Sequence, residues 1–249
     1  MHKLKRYSFD KEYENLAKYI QALDNSILDV SEIPMSNKRI EQLERIIQNV
    51  TDFGKELNLD LSDRKLDIKK IHFLDSKEFA GFLKAYEIPP LGMGTNLPDN
   101  NIVIYEQESD LSLAIAQHEV IHAMSHREFR INSSVEEIGQ GFWNTLNNDF
   151  NHINEAFTET INQYIISKYW SKDFAKKEEL KVAYRKPQIW LDNRMTELSE
   201  GIPYFNNSDD VFKFLATGYF VGDEKVLDIF KLYGEEPFEM IKKNLVYFT

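Results

Sequence analysis

Apolar positions in the first quarter of the chain recur at helical spacing. Residues 9–25 and 37–57 both read as amphipathic helices. In the second, Ile40, Leu43, Ile46, Ile47 and Val50 return every three or four positions, with charged and polar residues between them. The expected role is a helical packing layer. Near Leu66 the period changes. Asp67–Leu74 reads as a strand, and Asp75-Ser76-Lys77-Glu78 as a helix start with Phe79, Phe82 and Leu83 on its apolar side. Pro89-Pro90-Leu91-Gly92-Met93-Gly94 breaks that helix, and Pro98-Asp99-Asn100 is a turn. Asn101-Ile102-Val103-Ile104-Tyr105 is a short β-branched strand. Ser109 or Asp110 can cap the next helix, over 110–127. Residues 128–150, rich in Asn, Ser and Gly, follow neither period. Residues 151–170 read as a helix, and 171–249 as mainly helical with turns at Gly201-Ile202-Pro203 and Gly222-Asp223. The expected class is α+β, with a small sheet, a buried helix behind it and helical flanks. Three regions follow: an N-terminal helical region over 1–65, a core over 66–170 and a C-terminal helical subdomain over 171–249.

Composition narrows the chemistry. The 249 residues contain no cysteine, so disulfides and thiolate metal sites are excluded, and a transition metal has only His and carboxylates to bind. The net charge of −11 disfavours nucleic acid and anionic membranes as partners. No apolar run is long enough to span a bilayer. The basic start, Met1 to Ser8, is not followed by the apolar stretch of a signal peptide. A cytoplasmic protein is expected, with a mature secreted form as the alternative.

The helix over 110–127 carries His118-Glu119-Val120-Ile121-His122. Side chains four apart lie on one face, so the two imidazoles can aim at one cation. Glu119 sits about 100° round the helix, where it can reach a water on that cation without ligating it. Apart from the histidines, Glu119 is the one charged residue between Asp110 and Arg127. Leu111, Leu113, Ile115, Val120, Ile121 and Met124 surround it. Burying an unpaired carboxylate beside two imidazoles costs several kcal/mol, roughly, unless something compensates. A divalent metal and its water do so. The bland alternative is a pair of core histidines with ordinary hydrogen bonds.

A catalytic zinc site has three protein ligands and one open position. In the next helix Glu155 and Glu159 form an i, i+4 pair. One can ligate zinc while the other, a turn on, accepts from the free ring N–H of a ligand histidine. The alternative is an exposed acidic stripe. Two histidines compete for the third place. His126 is two turns from His118, about 12 Å along a rigid helix, so it joins only if the helix breaks. His152 precedes Glu155 and can serve as ligand or as a polar catalytic group.

His118-Glu119-x-x-His122 followed by Asn154-Glu155-x-x-x-Glu159 resembles the gluzincin metallopeptidases, and within them the small minigluzincin-like proteins. Their second helix often reads Asn-Glu-Gly-x-Thr-Glu-Tyr; here Ala156 replaces the Gly and Thr160 the Tyr. The resemblance spans about residues 67–240 and is specific at the two motifs. It implies a zincin-like core with a small mixed sheet. It also implies Zn2+ as cofactor, Glu155 as third ligand and Glu159 as the partner of His118. Asn101, Ile102, Val103, Ile104 and Tyr105 would be the edge strand that holds an extended peptide by main-chain bonds. The spacer between His122 and Glu155 is longer than in thermolysin-like members, which implies an extra hairpin over 128–150. Gly218-Tyr219-Phe220-Val221-Gly222-Asp223 is similar to an Ala-Tyr-Phe-x-Gly-Asp turn of these proteins. Tyr184 falls near a tyrosine that faces their site, which makes it the candidate donor to an oxyanion.

The expected activity is zinc-dependent hydrolysis of peptide bonds, with Glu119 as general base and a peptide or protein as substrate. Two other readings compete. One is a regulatory protease dedicated to a single partner protein. The other is a catalytically silent, zincin-fold binding protein.

Overall fold

The computed structural model describes residues 3–5, 32–64, 66–85, 93–97, 101–106, 110–131, 135–144, 149–176 and 185–243. The helix expected over 9–25 lies outside them. Helix α1 (Asn37–Glu56) starts at Ser36, whose hydroxyl accepts from the Arg39 amide at 3.2 Å. Its apolar stripe, Leu43, Ile46, Val50 and Phe53, is fully buried.

The strand expected over 67–74 is shorter. Asp67 accepts from the Lys69 amide at 3.0 Å and winds Ile68–Lys70 into a 3-10 turn, so β2 is Ile71–Leu74. Helix α2 (Ser76–Ala85) follows. Strand β3 (Gly94–Asn96) and strand β4 (Ile102–Tyr105) complete a three-stranded sheet in the order β2-β4-β3. β2 runs parallel to β4, and β3 antiparallel to it. Both faces of β2 and β4 are largely buried, while β3 is half-buried. Ile71, Phe73, Ile102 and Ile104 face the main core, while Leu74 and Val103 pack with Phe79, Phe82 and Leu83 of α2. Successive side chains of a strand point to opposite faces, so two buried faces require the unbroken apolar runs seen in β2 and β4.

Helix α3 (Asp110–Met124) carries the paired histidines. It is shorter than the expected 110–127. Ser125 turns the chain, its hydroxyl donating to the His122 carbonyl at 2.7 Å. The chain then enters β5 (Arg127–Ile131), which pairs with β6 (Val135–Gln140) in an antiparallel hairpin bulged between Glu128 and Phe129. β5 also pairs with β1 (Lys3–Lys5) in a second sheet. The spacer thus contains the expected hairpin.

Helix α4 (Asn151–Tyr169) packs against α3. The described part of the remainder is mainly helical, as expected: α5 (Lys172–Ala175), α6 (Arg185–Gly201), α7 (Ser208–Val221), a 3-10 segment Glu224–Tyr233, and α8 (Glu235–Lys242). The class is α+β, mostly helical with small sheets. Residues from α1, β2, β4, α3, α4, α6 and α7 share one apolar core. Among the described residues no helix is long and apolar enough to cross a membrane. Arg64, buried between two helix ends, donates to the carbonyls of Met124 and Phe220, both at 2.8 Å. It thereby satisfies last-turn acceptors of α3 and α7 that have no partner within their own helices.

Candidate metal centre

Helices α3 and α4 are held in register by buried amides. Gln117 Nε2 donates to Asn162 Oδ1 at 2.8 Å, and Asn162 Nδ2 donates to the Ala114 carbonyl at 3.2 Å. Gln117 Oε1 accepts from the Trp170 indole at 2.8 Å. This registry sets one turn of α3, His118 to His122, opposite one turn of α4, Glu155 to Glu159.

Three donor groups converge there. His118 Nε2 and His122 Nε2 lie 3.1 Å apart. Glu155 Oε2 is 3.4 Å from His118 Nε2, and Glu155 Oε1 is 3.4 Å from His122 Nε2. Zinc-to-ligand distances near 2.0–2.1 Å put tetrahedral ligand atoms about 3.3 Å apart, so the spacing fits a single zinc ion. The two histidines are buried, whereas Glu155 keeps 25% of its side chain accessible, which leaves one side of the cluster open to solvent. Among the described residues, His118, His122 and Glu155 are the one group of this kind.

The far nitrogens of the two rings are engaged differently. His118 Nδ1 lies 2.9 Å from Glu159 Oε2. Glu159 is itself held by Asn162 Nδ2 at 3.1 Å and by Gln163 Nε2 at 2.7 Å. With all these bonds made, Glu159 is buried and partnered rather than part of a solvated stripe. His122 Nδ1 lies 3.3 Å from the hydroxyl of Tyr219, a fully buried residue of α7. Tyr219 is seated tightly. Gly141 has a positive φ of 56°, and a Cβ there would collide with the Tyr219 ring and meet Asn154 Oδ1 at 2.5 Å. That same Oδ1 accepts from the Phe142 amide at 2.9 Å, pinning the loop after β6 to the start of α4.

Without a cation the cluster distributes its charge by proximity. Burial opposes a charge on His118, but Glu155 and Glu159 outweigh it and push the imidazole well above its ordinary range. Burial likewise opposes ionisation of Glu155, yet His122 and His118 hold its carboxyl well below the usual range. Burial pushes the Glu119 carboxyl up; His118 and His122 pull it down and Glu155 pushes it further up. Burial also pushes the Tyr219 phenol upward, against the Thr158 and Ser125 hydroxyls, so it is protonated at neutral pH.

Glu119 lies between the histidines and β3. A Cβ on Gly94 would stand 2.9 Å from Glu119 Oε1 and 2.7 Å from Ile115 Cγ2, so only glycine lets this strand approach so closely. Asn96 Nδ2 donates to the Glu119 carbonyl at 3.3 Å. The expected edge strand, Asn101 to Tyr105, is therefore in the wrong place. Ile102–Tyr105 is the central strand, bonded to β2 on one side and β3 on the other. Ile102, Val103 and Ile104 are buried, Tyr105 stacks on Phe79, and Asn101 Oδ1 lies 2.8 Å from His72 Nε2. The displacement comes from Gly94-Thr95-Asn96. In the sequence Gly94 closes the Pro- and Gly-rich breaker and Thr95-Asn96 carry no strand signal, but the three pair as a strand outside β4.

His126 leaves the helix after Met124 and packs on Gly222, where a Cβ would strike its ring. His152 is exposed. Neither belongs to the cluster. Tyr184 lies outside the described residues. Sequence reasoning missed the roles of Gln117, Asn162, Gln163, Thr158 and Tyr219. The available signal was a set of amides and hydroxyls at helical spacing on otherwise apolar helix faces. No protein-family model, curated protein or solved structure matches this chain.

Proposed function

We propose that this chain is a zinc-dependent peptidase with a gluzincin-like, zincin-type core, in which His118, His122 and Glu155 hold the metal. The observation that carries the reading is the convergence of His118, His122 and Glu155, whose nearest donor atoms lie 3.1 to 3.4 Å apart, beside a buried carboxylate, Glu119, outside that group. Zinc held there would lower the pKa of a bound water and polarise a carbonyl. Glu119 takes the proton of the attacking water and delivers it to the leaving amine. Its raised pKa suits both halves of that exchange near neutral pH. Among the described residues no strand pairs with the outer edge of β3. That edge adjoins Glu119 and accepts an extended substrate through main-chain bonds. The open side at Glu155 gives the peptide its approach.

Elemental analysis of purified protein, paired with digestion of a peptide library, tests the reading. About one zinc per chain is expected, lost in His122→Ala, with peptide cleavage that stops when zinc is removed. Retention of full zinc by His122→Ala rules out the assignment. Zinc binding with an intact peptide library rules out a general peptidase and leaves the protease dedicated to one partner and the silent zincin-fold binding protein.

A further inference from the structure

We infer that Tyr219, driven by Thr158, fixes the proton of His122 on Nδ1 and so turns a bare Nε2 lone pair into the cluster; this rests on the metal-centre reading above. The argument is a count of protons along a chain of hydrogen bonds. It starts at the Asn154 carbonyl, which can only accept. Thr158 Oγ1 donates to it at 2.8 Å, and a hydroxyl has one proton to give. The contact between Thr158 Oγ1 and the Tyr219 hydroxyl, at 2.7 Å, therefore has Tyr219 as donor. The phenol also meets the Ser125 hydroxyl, whose own proton goes to the His122 carbonyl at 2.7 Å, so the single proton of the phenol is committed to a hydroxyl oxygen. The 3.3 Å contact between Tyr219 and His122 Nδ1 then closes only if the nitrogen donates. His122 is left with Nδ1–H and an unprotonated Nε2, which can accept from His118 Nε2 at 3.1 Å when no cation is bound and lies 3.4 Å from Glu155 Oε1.

Glu159 does the same for His118 by a different route, because a carboxylate accepts without any count of protons. The two ligand histidines are thus aimed by unlike partners: one by an anion, one by a neutral hydroxyl relay. A carboxylate partner raises the basicity of its ligand, whereas a phenol orients without adding charge.

The phenol ring does not depend on its hydroxyl for its place. It packs edge-on to Phe142 at 5.4 Å and against Phe157 at 5.9 Å, beneath Gly141. Tyr219→Phe removes the relay and keeps the seat. Thr158→Val does something a merely structural residue would not do. It removes the first of the phenol's two hydroxyl acceptors, leaving Ser125 alone to compete with His122 Nδ1 for the Tyr219 proton, and so shifts the imidazole proton toward Nε2, where a metal must displace it.

The test is zinc competition against a chromophoric chelator, with long-range nitrogen NMR reporting which His122 nitrogen is protonated, with and without zinc. Tyr219→Phe and Thr158→Val should each weaken zinc binding by roughly 10–100-fold. Thr158→Val should also raise the Nε2–H fraction of His122 in the metal-free protein, further when combined with Ser125→Ala, and Thr158→Ser should restore both readouts. If both variants, folded by near-ultraviolet dichroism, match the wild type in affinity and tautomer, the relay is overturned while the metal centre stands. If the wild type binds no zinc, the metal reading fails, and the tautomer spectra alone decide the relay. If one variant does not fold, the other, with Thr158→Ser, decides it.

Discussion

Helices α1 and α3 lie side by side in one core, yet they are built on opposite plans. In α1, six of twenty residues are buried and they recur every three or four positions, with water on the other face. In α3, twelve of fifteen are buried, on every side. The first plan leaves a readable stripe, because the boundary between core and solvent runs along the helix. The second leaves none, because there is no wet face to mark. What identifies α3 is instead the polarity that its surroundings do not explain: Gln117, His118 and Glu119 in succession, and His122 one turn after His118, polar groups in a dry setting, each of which needs a partner. A stripe tells where a helix packs. A buried polar cluster tells what a helix does.

That contrast can be broken at either helix. The largest effect is expected from Glu119→Gln, which keeps size and polarity but cannot accept a proton. Hydrolysis should fall about 100- to 10,000-fold with zinc content unchanged in elemental analysis. Undiminished turnover would remove Glu119 from the chemistry. In α1, Phe53→Ala should cost about 3–5 kcal/mol in denaturant unfolding, because Phe53 is fully buried against Tyr164, Phe212 and Phe220. Zinc affinity of the folded fraction should not change; if it does, α1 is more than packing. Glu159→Ala should weaken zinc by roughly 10–100-fold in a competition titration. Glu155→Ala should weaken it further, since a ligand atom is lost rather than the partner of one. The reverse order would exchange their roles. The smallest effect belongs to Glu41→Ala and Glu44→Ala on the wet face of α1, within about 0.5 kcal/mol of wild type in the same unfolding assay.

The parts of the molecule that rest on local spacing were legible in the sequence. Leu43, Ile46 and Val50 announce their burial by their period. His118 with His122, and Glu155 with Glu159, announce a shared face by being four apart. The parts that rest on pairing across the chain were not. Ile102–Tyr105 looks like an edge strand until Gly94–Asn96 pairs outside it, and nothing local to a Gly-Thr-Asn triplet declares a strand. Tyr219 sits in an apolar run, where a tyrosine reads as packing. Its contact with His122 depends on how α7 lies against α3 and α4, which no period records. The early end of α3 escaped for a similar reason, since Ser125 and His126 are compatible with either helix or turn.

The single guanidinium of Arg64 spans the ends of α3 and α7, two residues past His122 and one past Tyr219. It works as a registration pin. Sliding either helix along its axis would strip a carbonyl from the same buried cation, so the two helices can only rock about that point. Amides in both last turns should be among the slowest in the molecule to exchange with deuterated water. Breathing around the candidate site is therefore expected on its strand side, with the histidine side held as the firmer wall.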